Sequence, residues 1–451
     1  MNAQSIVIVG FLTLLASSGF ANEKMVLSVE DCVRIGLDNS KMLHISKMKK
    51  EAAEARASEA FTYRLPTLTL GASYMHMSEV PPFEVTISIP AIGLEKRMSL
   101  WPSIQDNYSA KLSLLQPVFT GFRLQSSVRA AEDMAEAAQK DYERERADTV
   151  FSISSAYWNL FRAIESKKVI RESLDLVNAH LKDAQNLRSQ GMATRNDVLK
   201  VRVQLSEVQY LLIQTENAER LARTALNSFI GLPLDTEVEP SSRPSAPEKN
   251  LPTIESLTEK ALRNRPETGA AEARIRASEA GLTLARSAWF PQLALTAEYL
   301  YSRPNPRIIP PKDRFDDTWA AGVVLTYDIW TWGRTRHQTA QARAQLEQAR
   351  DALGQLKDAV VLEMTQVYLD LVNSLEKIEV TEEGVKQAKE SYRITKEGYT
   401  NGVIRNSELQ DAEVALMRAR LNYTQALVDF EVSRARLRKA VGEETFNPAV
   451  Q

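Results

Sequence analysis

The sequence lacks most of what marks an enzyme or a helical membrane bundle. It holds one cysteine, Cys32, in 451 residues, so no disulfide forms within the chain. Its four histidines (His44, His76, His180 and His337) are scattered, with no cysteine cluster or HExxH spacing to gather zinc. Neither a GxxxxGK[ST] phosphate loop nor a GxSxG nucleophile turn is present. The expectation is a protein that is not an enzyme, with no catalytic residues, metal or cofactor. Mean hydropathy is -0.29, and after the first two dozen residues no uncharged apolar run reaches the ~18 needed for a membrane-spanning helix. That excludes a polytopic helical transporter. Lysine plus arginine (56) nearly cancels aspartate plus glutamate (58), and no basic run stands out, so nucleic acid is not an expected partner. Glycine (17) and proline (18) together make about 8% of the chain, below the roughly 12% of average proteins.

What is present begins with a leader. Ile6 to Leu15 is an apolar stretch of signal-peptide length, and Gly19-Phe20-Ala21 reads as a small-x-small cleavage site before Asn22. No Lys or Arg precedes the apolar stretch, which departs from the usual pattern. Residues 1–21 are therefore expected to be removed and the mature chain exported. Cys32 lies inside a helical pattern rather than at the cleavage site, so no lipid anchor is expected there.

The mature chain repeats itself. Val29...Gly36-Leu37-Asp38-Asn39 matches Ile254...Ala261-Leu262-Arg263-Asn264, and Leu65-Pro66-Thr67-Leu68 matches Phe290-Pro291-Gln292-Leu293, both at a shift of 225. Pro117-Val118-Phe119 matches Asp328-Ile329-Trp330, and Tyr157, Gly191 and Gly231 match Tyr368, Gly402 and Gly442, now at 211. The difference of 14 is a longer insert between Leu70 and Pro117 in the first copy. The first repeat is expected over 22–232, a proline-rich irregular connector over 233–252, the second repeat over 253–442 and a tail over 443–451.

Each repeat reads as long helices plus two strands. From Phe122 to Gln190 there is neither glycine nor proline, and such a run is helical. Helices are expected at about 121–189 and 196–231, and again at about 333–399 and 407–441. Apolar residues recur at the 3-4 spacing of a coiled coil, most clearly from Leu409 through Ala412, Leu416, Ala419 and Tyr423 to Phe430. Gly191 and Gly402 mark tight turns between antiparallel helices. Four segments instead alternate with period 2, at about 67–76, 108–118, 292–301 and 318–328. Their apolar sets, which include Leu68, Leu70, Leu112, Leu293, Leu295, Trp319 and Val323, are the candidate lipid-facing residues of an outer-membrane barrel. Phe83 to Ile89 is a candidate for a further strand. Four strands cannot close a barrel. Three chains pooling twelve strands close one, and two chains with eight close a narrower one.

This combination resembles the TolC family of outer-membrane efflux channels over essentially the whole mature chain. The resemblance rests on the duplication, the repeated Leu65-Pro66 and Phe290-Pro291 strand starts, the Pro117-Val118-Phe119 and Asp328-Ile329-Trp330 strand ends, and the two glycine turns. It implies a mainly α fold with a transmembrane β part: a homotrimer with a 12-stranded β-barrel in outer-membrane lipid and a long periplasmic α-helical barrel. The cell is then of Gram-negative type. The implied function is the passive exit duct of a tripartite efflux or type I secretion system, opening at its tip by an iris-like motion. The implied partners are a periplasmic adaptor (membrane fusion) protein and an inner-membrane pump of RND, ABC or MFS type. By position, Glu408 and Asp411 match the pore-constriction acids of the family. Gly191, Thr194, Asn196, Asp197, Gly402, Arg405 and Ser407 fall in the turns where adaptors dock. Asn196 and Ser407 are candidate N-caps of the returning helices. Where the family often has a basic residue two positions after the second turn glycine, this chain has Ile404, with Arg405 one later. A soluble periplasmic coiled-coil scaffold or adaptor is the alternative, and it requires Leu68, Leu70, Leu293 and Leu295 to be hidden in a core.

Overall fold

The computed structural model describes residues 24–89, 93–245 and 251–443. The expected leader at 1–21, and all of the expected tail but Glu443, lie outside the described residues. The long helices form where glycine and proline are scarce. The helices α3 (Arg123–Ser189) and α7 (Arg334–Thr400) each run 67 residues, or roughly 100 Å at 1.5 Å per residue. After a short turn each is answered by an antiparallel helix of 36 residues, α4 (Arg195–Ile230) and α8 (Asn406–Val441). All four starts and ends are offset by the same 211 positions that the sequence matches share.

Each copy opens with two shorter helices, of which the sequence shows only the helical pattern around Cys32. They are α1 (Val29–Asn39) and α2 (Lys41–Thr62) in the first copy, and α5 (Ile254–Asn264) and α6 (Pro266–Arg286) in the second. Ser28 caps α1 with a reciprocal capping box to Asp31, and Thr253 caps α5. The expected irregular connector contains a short strand, β6 (Val238–Pro240), which pairs in parallel with β1 (Met25–Leu27). Tyr157, fully buried on α3, ties this pair down. Its hydroxyl donates to the Leu27 carbonyl (3.2 Å) and accepts from the Ser242 amide (2.7 Å).

The two copies build two matching cores. Cys32, Ile153, Tyr157 and Ile230 cluster in the first, and Leu257, Met364, Tyr368 and Val441 in the second. Each residue of one set sits at the repeat position of its counterpart. Cys32 acts as a small buried hydrophobe, and burial pushes its thiol up to about 12.

Four strands make one antiparallel sheet: β2 (Thr67–His76), β5 (Asp106–Phe119), β7 (Gln292–Arg303) and β8 (Asp316–Thr326), in that spatial order. The extra residues of the first copy form a separate hairpin, β3 (Phe83–Ile89) with β4 (Leu94–Trp101). Register sets Leu70, Leu112, Tyr299 and Trp319 side by side across the four strands. Among the described residues, the outer edges of β2 and β8 have no pairing strand. The helices α2, α3 and α7 and the segment after α6 join the sheet at one end, and the described residues of the connections after β2 and β7 lie at the other.

Sheet and helix meet at a tight corner. Gly121 (φ 62°) and Phe122 (φ 68°) are both left-handed, and for a bulky residue such as Phe122 that conformation is costly. Edge-on contacts of Phe122 with Phe119 (5.7 Å) and Phe290 (6.0 Å) hold it there. A Cβ on Gly121 would come within 2.5 Å of the Ser287 carbonyl and 2.7 Å of Phe290 Cβ. Gly121→Ala is therefore expected to cost about 1–3 kcal/mol, read as a lowered thermal midpoint in detergent. Gly71→Ala, which meets nothing within 4 Å, should stay near the parent protein.

Candidate functional site

The two helical turns at the far end of the molecule close in the same way. Both long helices end on a left-handed glycine, Gly191 (φ 77°) and Gly402 (φ 73°). Met192 donates back to the Leu187 carbonyl (2.9 Å) and Val403 to that of Gly398 (2.8 Å), the paired closure of a Schellman turn.

The two returning helices start differently. In the first turn the N-cap is Thr194, not the expected Asn196, because the helix begins one turn position earlier, at Arg195. Thr194 Oγ1 accepts from the Asp197 amide (3.2 Å), and the Asp197 carboxylate accepts from the Thr194 amide (3.0 Å) and hydroxyl (2.6 Å). Those bonds from Thr194 hold the Asp197 carboxyl below its ordinary value. This stabilisation is thus present above the unfolded carboxylate value and is lost as pH falls through the lowered one. In the second turn the N-cap is Arg405, not the expected Ser407, and its side chain makes no cap bond. Glu408 occupies the position equivalent to Asp197 but has no hydroxyl partner. Ile404 packs over Gly398, so that a Cβ there would lie 2.5 Å from its Cδ1. Arg405 is exposed and makes no ion pair among the described residues.

Glu408 and Asp411 are both exposed. They open a stripe along α8 that continues through Ala415, Arg418 and Asn422, all exposed, at the 3-4 spacing of one helix face. This stripe is polar or small. A different face of α4, not the one at the equivalent repeat positions, is bulky and apolar, with Leu199, Val203, Tyr210, Ile213 and Leu221 all exposed. An apolar stripe on a helix needs a covering surface, whereas the α8 stripe is compatible with water.

The residues that join the two hairpins were not apparent from the sequence. His180 on α3 is 3% exposed. Its Nδ1 lies 3.2 Å from Glu413 Oε2 and its Nε2 lies 2.8 Å from Asn406 Oδ1, both on α8. Gln204 on α4 donates to the same Glu413 oxygen (3.0 Å), and Asn406 Nδ2 reaches the Asp197 carbonyl (3.5 Å). Tyr399 on α7 sets its ring edge-on to His180 at 5.1 Å, and burial holds its hydroxyl above the ordinary tyrosine value. All four long helices thus contribute to one buried polar cluster near the tip. Scattered in the sequence, His180 carries no spacing signal. The visible trace is Gln204, a polar residue inside the Val201 to Val208 apolar spacing.

At the opposite end, one face of the sheet is exposed and apolar. Leu68, Leu70, Leu112, Leu295, Trp319 and Val323 are exposed, with Leu70 at 73% and Trp319 at 74%. Leu293 is half-buried, opposite Phe119 in register. The other face carries Thr67, Thr69, Ser109, Ser113, Thr296 and Thr318, by strand alternation. Among the described residues no helix is long and apolar enough to cross a membrane, and no group of His, Cys, Asp and Glu is arranged to hold a metal.

Comparison with known proteins agrees with this architecture. The sequence profile of the family described as "Outer membrane efflux protein" matches residues 35–232 and 257–443, one segment per repeat. The outer membrane protein TolC of Vibrio cholerae is 24% identical over 319 residues, which are 70% of this chain and 72% of that protein. The alkaline protease secretion protein AprF of Pseudomonas aeruginosa is 22% identical over 343 residues, 75% of this chain and 70% of that one. Among solved structures, the CmeC outer membrane channel of Campylobacter jejuni superposes with a TM-score of 0.78 at 16% identity, covering 99% of this chain and 95% of that one.

The buried cluster has a measurable energetic signature. His180→Ala takes one of the two hydrogen-bond partners of the Glu413 carboxylate, 5% exposed, and the partner of Asn406 Oδ1, at an expected cost of about 1–3 kcal/mol. Adding Glu413→Gln removes the buried charge and should restore part of the thermal midpoint. A single His180→Ala variant that melts with the parent would show that the cluster does not join the hairpins.

Proposed function

The chain belongs to the outer membrane efflux protein family, and from that premise we propose that it is the outer-membrane exit duct of an efflux or secretion assembly. It is a channel protein rather than an enzyme. The observation that carries the reading is the four-stranded sheet with an exposed apolar face and, among the described residues, two unpaired edges. Hydrocarbon offers no partner to an unpaired strand edge, so a sheet that enters lipid must close on copies of itself. Three copies give twelve strands, within the range of bacterial barrels. The long helices of three copies then continue the barrel as a tunnel, with the apolar stripe of α4 covered by a neighbouring copy and the polar stripe of α8 facing the water inside. The scaffold alternative needs Leu68 and Leu70 in a core, and both are exposed.

Within that duct, Glu408 and Asp411 stand at the narrow end. Three copies set six carboxylates around it, an arrangement that favours cations and resists anions. That Glu408 has no side-chain partner among the described residues supports this role, because its counterpart Asp197 is consumed by a capping box and Glu408 is not. Opening swings α7 and α8 away from α3 and α4 and breaks the contacts of His180 with Glu413 and Asn406. The exposed turn residues Gly191, Thr194, Asn196, Gly402, Arg405 and Ser407, with the half-buried Asp197, form the surface that a periplasmic adaptor grips. The chain has no nucleotide-binding loop, so the driving force comes from an inner-membrane pump of RND, ABC or MFS type.

Two measurements test this reading. Purified protein in a planar bilayer should show small, cation-preferring conductance, and Glu408→Ala with Asp411→Ala should raise the conductance and shift the selectivity away from cations. Protein that conducts in no state would sink the duct. Leu70→Arg should block assembly in outer-membrane fractions, since a basic residue on a barrel's lipid face costs about 2–4 kcal/mol at the midplane.

A further inference from the structure

The inner face of the sheet carries a second charged constellation, of opposite bias to the tip. Taking the polar face as the interior, the residues pointing inward on the four strands include three charged ones among the described residues: Lys111, Glu298 and, at the outer end, Asp316. Lys111 Nζ lies 2.6 Å from Glu298 Oε2, and Asp316 is taken up by Arg314 at 3.0 Å. A further positive charge arrives from outside the strands. The connection between β7 and β8 folds back over this same face and brings the Arg307 guanidinium to the other Glu298 oxygen, at 3.4 Å. Arg307 also donates to the Trp319 carbonyl at 2.8 Å.

This inward fold is built into the loop rather than left to chance. Asn305, 1% exposed, uses its whole side-chain amide to pin the loop. Its Nδ2 donates to the Asp316 carbonyl (3.0 Å) and Thr318 Oγ1 (3.2 Å), and its Oδ1 accepts from the Arg307 amide (3.0 Å). Thr318 is an inward residue, so Arg307 is held over the interior. Among the other basic groups of this connection, Arg303 pairs with Asp313 at 2.7 Å and Arg314 with Asp316, while Lys312 makes no ion pair among the described residues. The triad of Lys111, Glu298 and Arg307 therefore keeps one positive charge in excess. It lies about five residues, roughly 17 Å along the strand, from the outer end of the sheet.

We propose that Lys111 and Arg307, bridged by Glu298, form a positively biased ring inside the barrel that favours anionic groups at the outer exit of the duct. The inference rests on the duct reading above, because only closure of the sheet makes its polar face a lumen. Three copies place three such triads around the exit, and rings of Lys and Arg select anions in pores. The duct then carries acids at its inner opening and bases at its outer one. A solute bearing a carboxylate or phosphate meets its unfavourable charge at the tip, where the pump delivers it, and a favourable one at the exit. The specificity-determining residue is Arg307, since Lys111 and Glu298 alone cancel.

Reversal potentials under a KCl gradient in planar bilayers test this. With the tip acids removed (Glu408→Ala, Asp411→Ala), the channel should prefer chloride. On that background Arg307→Gln should return the reversal potential close to zero, Arg307→Lys should keep the chloride preference, and Glu298→Gln should strengthen it. The opposite directions of Arg307→Gln and Glu298→Gln distinguish a charge effect from a damaged loop. Conductance with a reversal potential that ignores both changes overturns the ring and leaves the duct standing. Absence of conductance in every variant removes the duct reading itself, and the ring with it.

Discussion

A strand edge left unpaired in hydrocarbon exposes a row of amides and carbonyls, each costing several kcal/mol. That constraint organises the rest of this molecule. The sheet from β2 to β8 satisfies its interior hydrogen bonds and presents an apolar face through Leu70, Leu112, Tyr299 and Trp319, but among the described residues no strand pairs with its two outer edges. A chain with this sheet is incomplete by itself in lipid. The apolar stripe of α4 repeats the same incompleteness along the helices, where Val203, Tyr210 and Leu221 stand in water in the single chain. Both surfaces ask for a neighbouring copy, and on the proposed reading the same copy satisfies both.

Duplication then supplies a pseudo-symmetric body with two unequal ends. The lengths of the long helices agree between copies to the residue, and the cores around Ile153 and Met364 correspond position by position. The differences between copies fall where function is proposed. One tip turn is closed on itself by the Thr194 and Asp197 box, while the other spends Asn406 on a bond to His180 and leaves Glu408 with no side-chain partner among the described residues. One outer connection grows into a separate hairpin, while the other folds inward and carries Arg307. On the proposed reading, equivalent positions with different partners let one hairpin serve as a fixed wall and the other as a moving one.

Much of this fold is legible in the sequence because it is written in periodicity. The glycine-free and proline-free run before Gly191 encodes α3, and strict alternation encodes the face that holds Leu70 and Leu112. The helices ahead of each first strand are harder to bound from sequence, although the matching Val29 and Ile254 segments flag their repetition: α1 and α5 hold eleven residues, too few turns to establish a period, and the longer α2 and α6 are rich in alanine and charged residues with few large apolar ones to mark a face. The N-caps were misplaced for a different reason. Thr194, Asn196 and Ser407 are all residue types that cap well, and only backbone geometry decides between neighbours. The tip cluster stayed hidden because its members are far apart in sequence: His180, Gln204 and Glu413 meet only when two repeats pack, and no spacing rule encodes a contact between helices.

The central claim is that one chain is a fraction of a barrel, and the mass of the particle extracted from outer-membrane fractions tests it most directly. Light scattering corrected for bound detergent should give three chains per particle, recovered from that fraction with detergent alone. A protein released without detergent as a monomer or dimer would mean that the sheet never meets lipid, and the account of its edges, its apolar face and its lumen would be contradicted together.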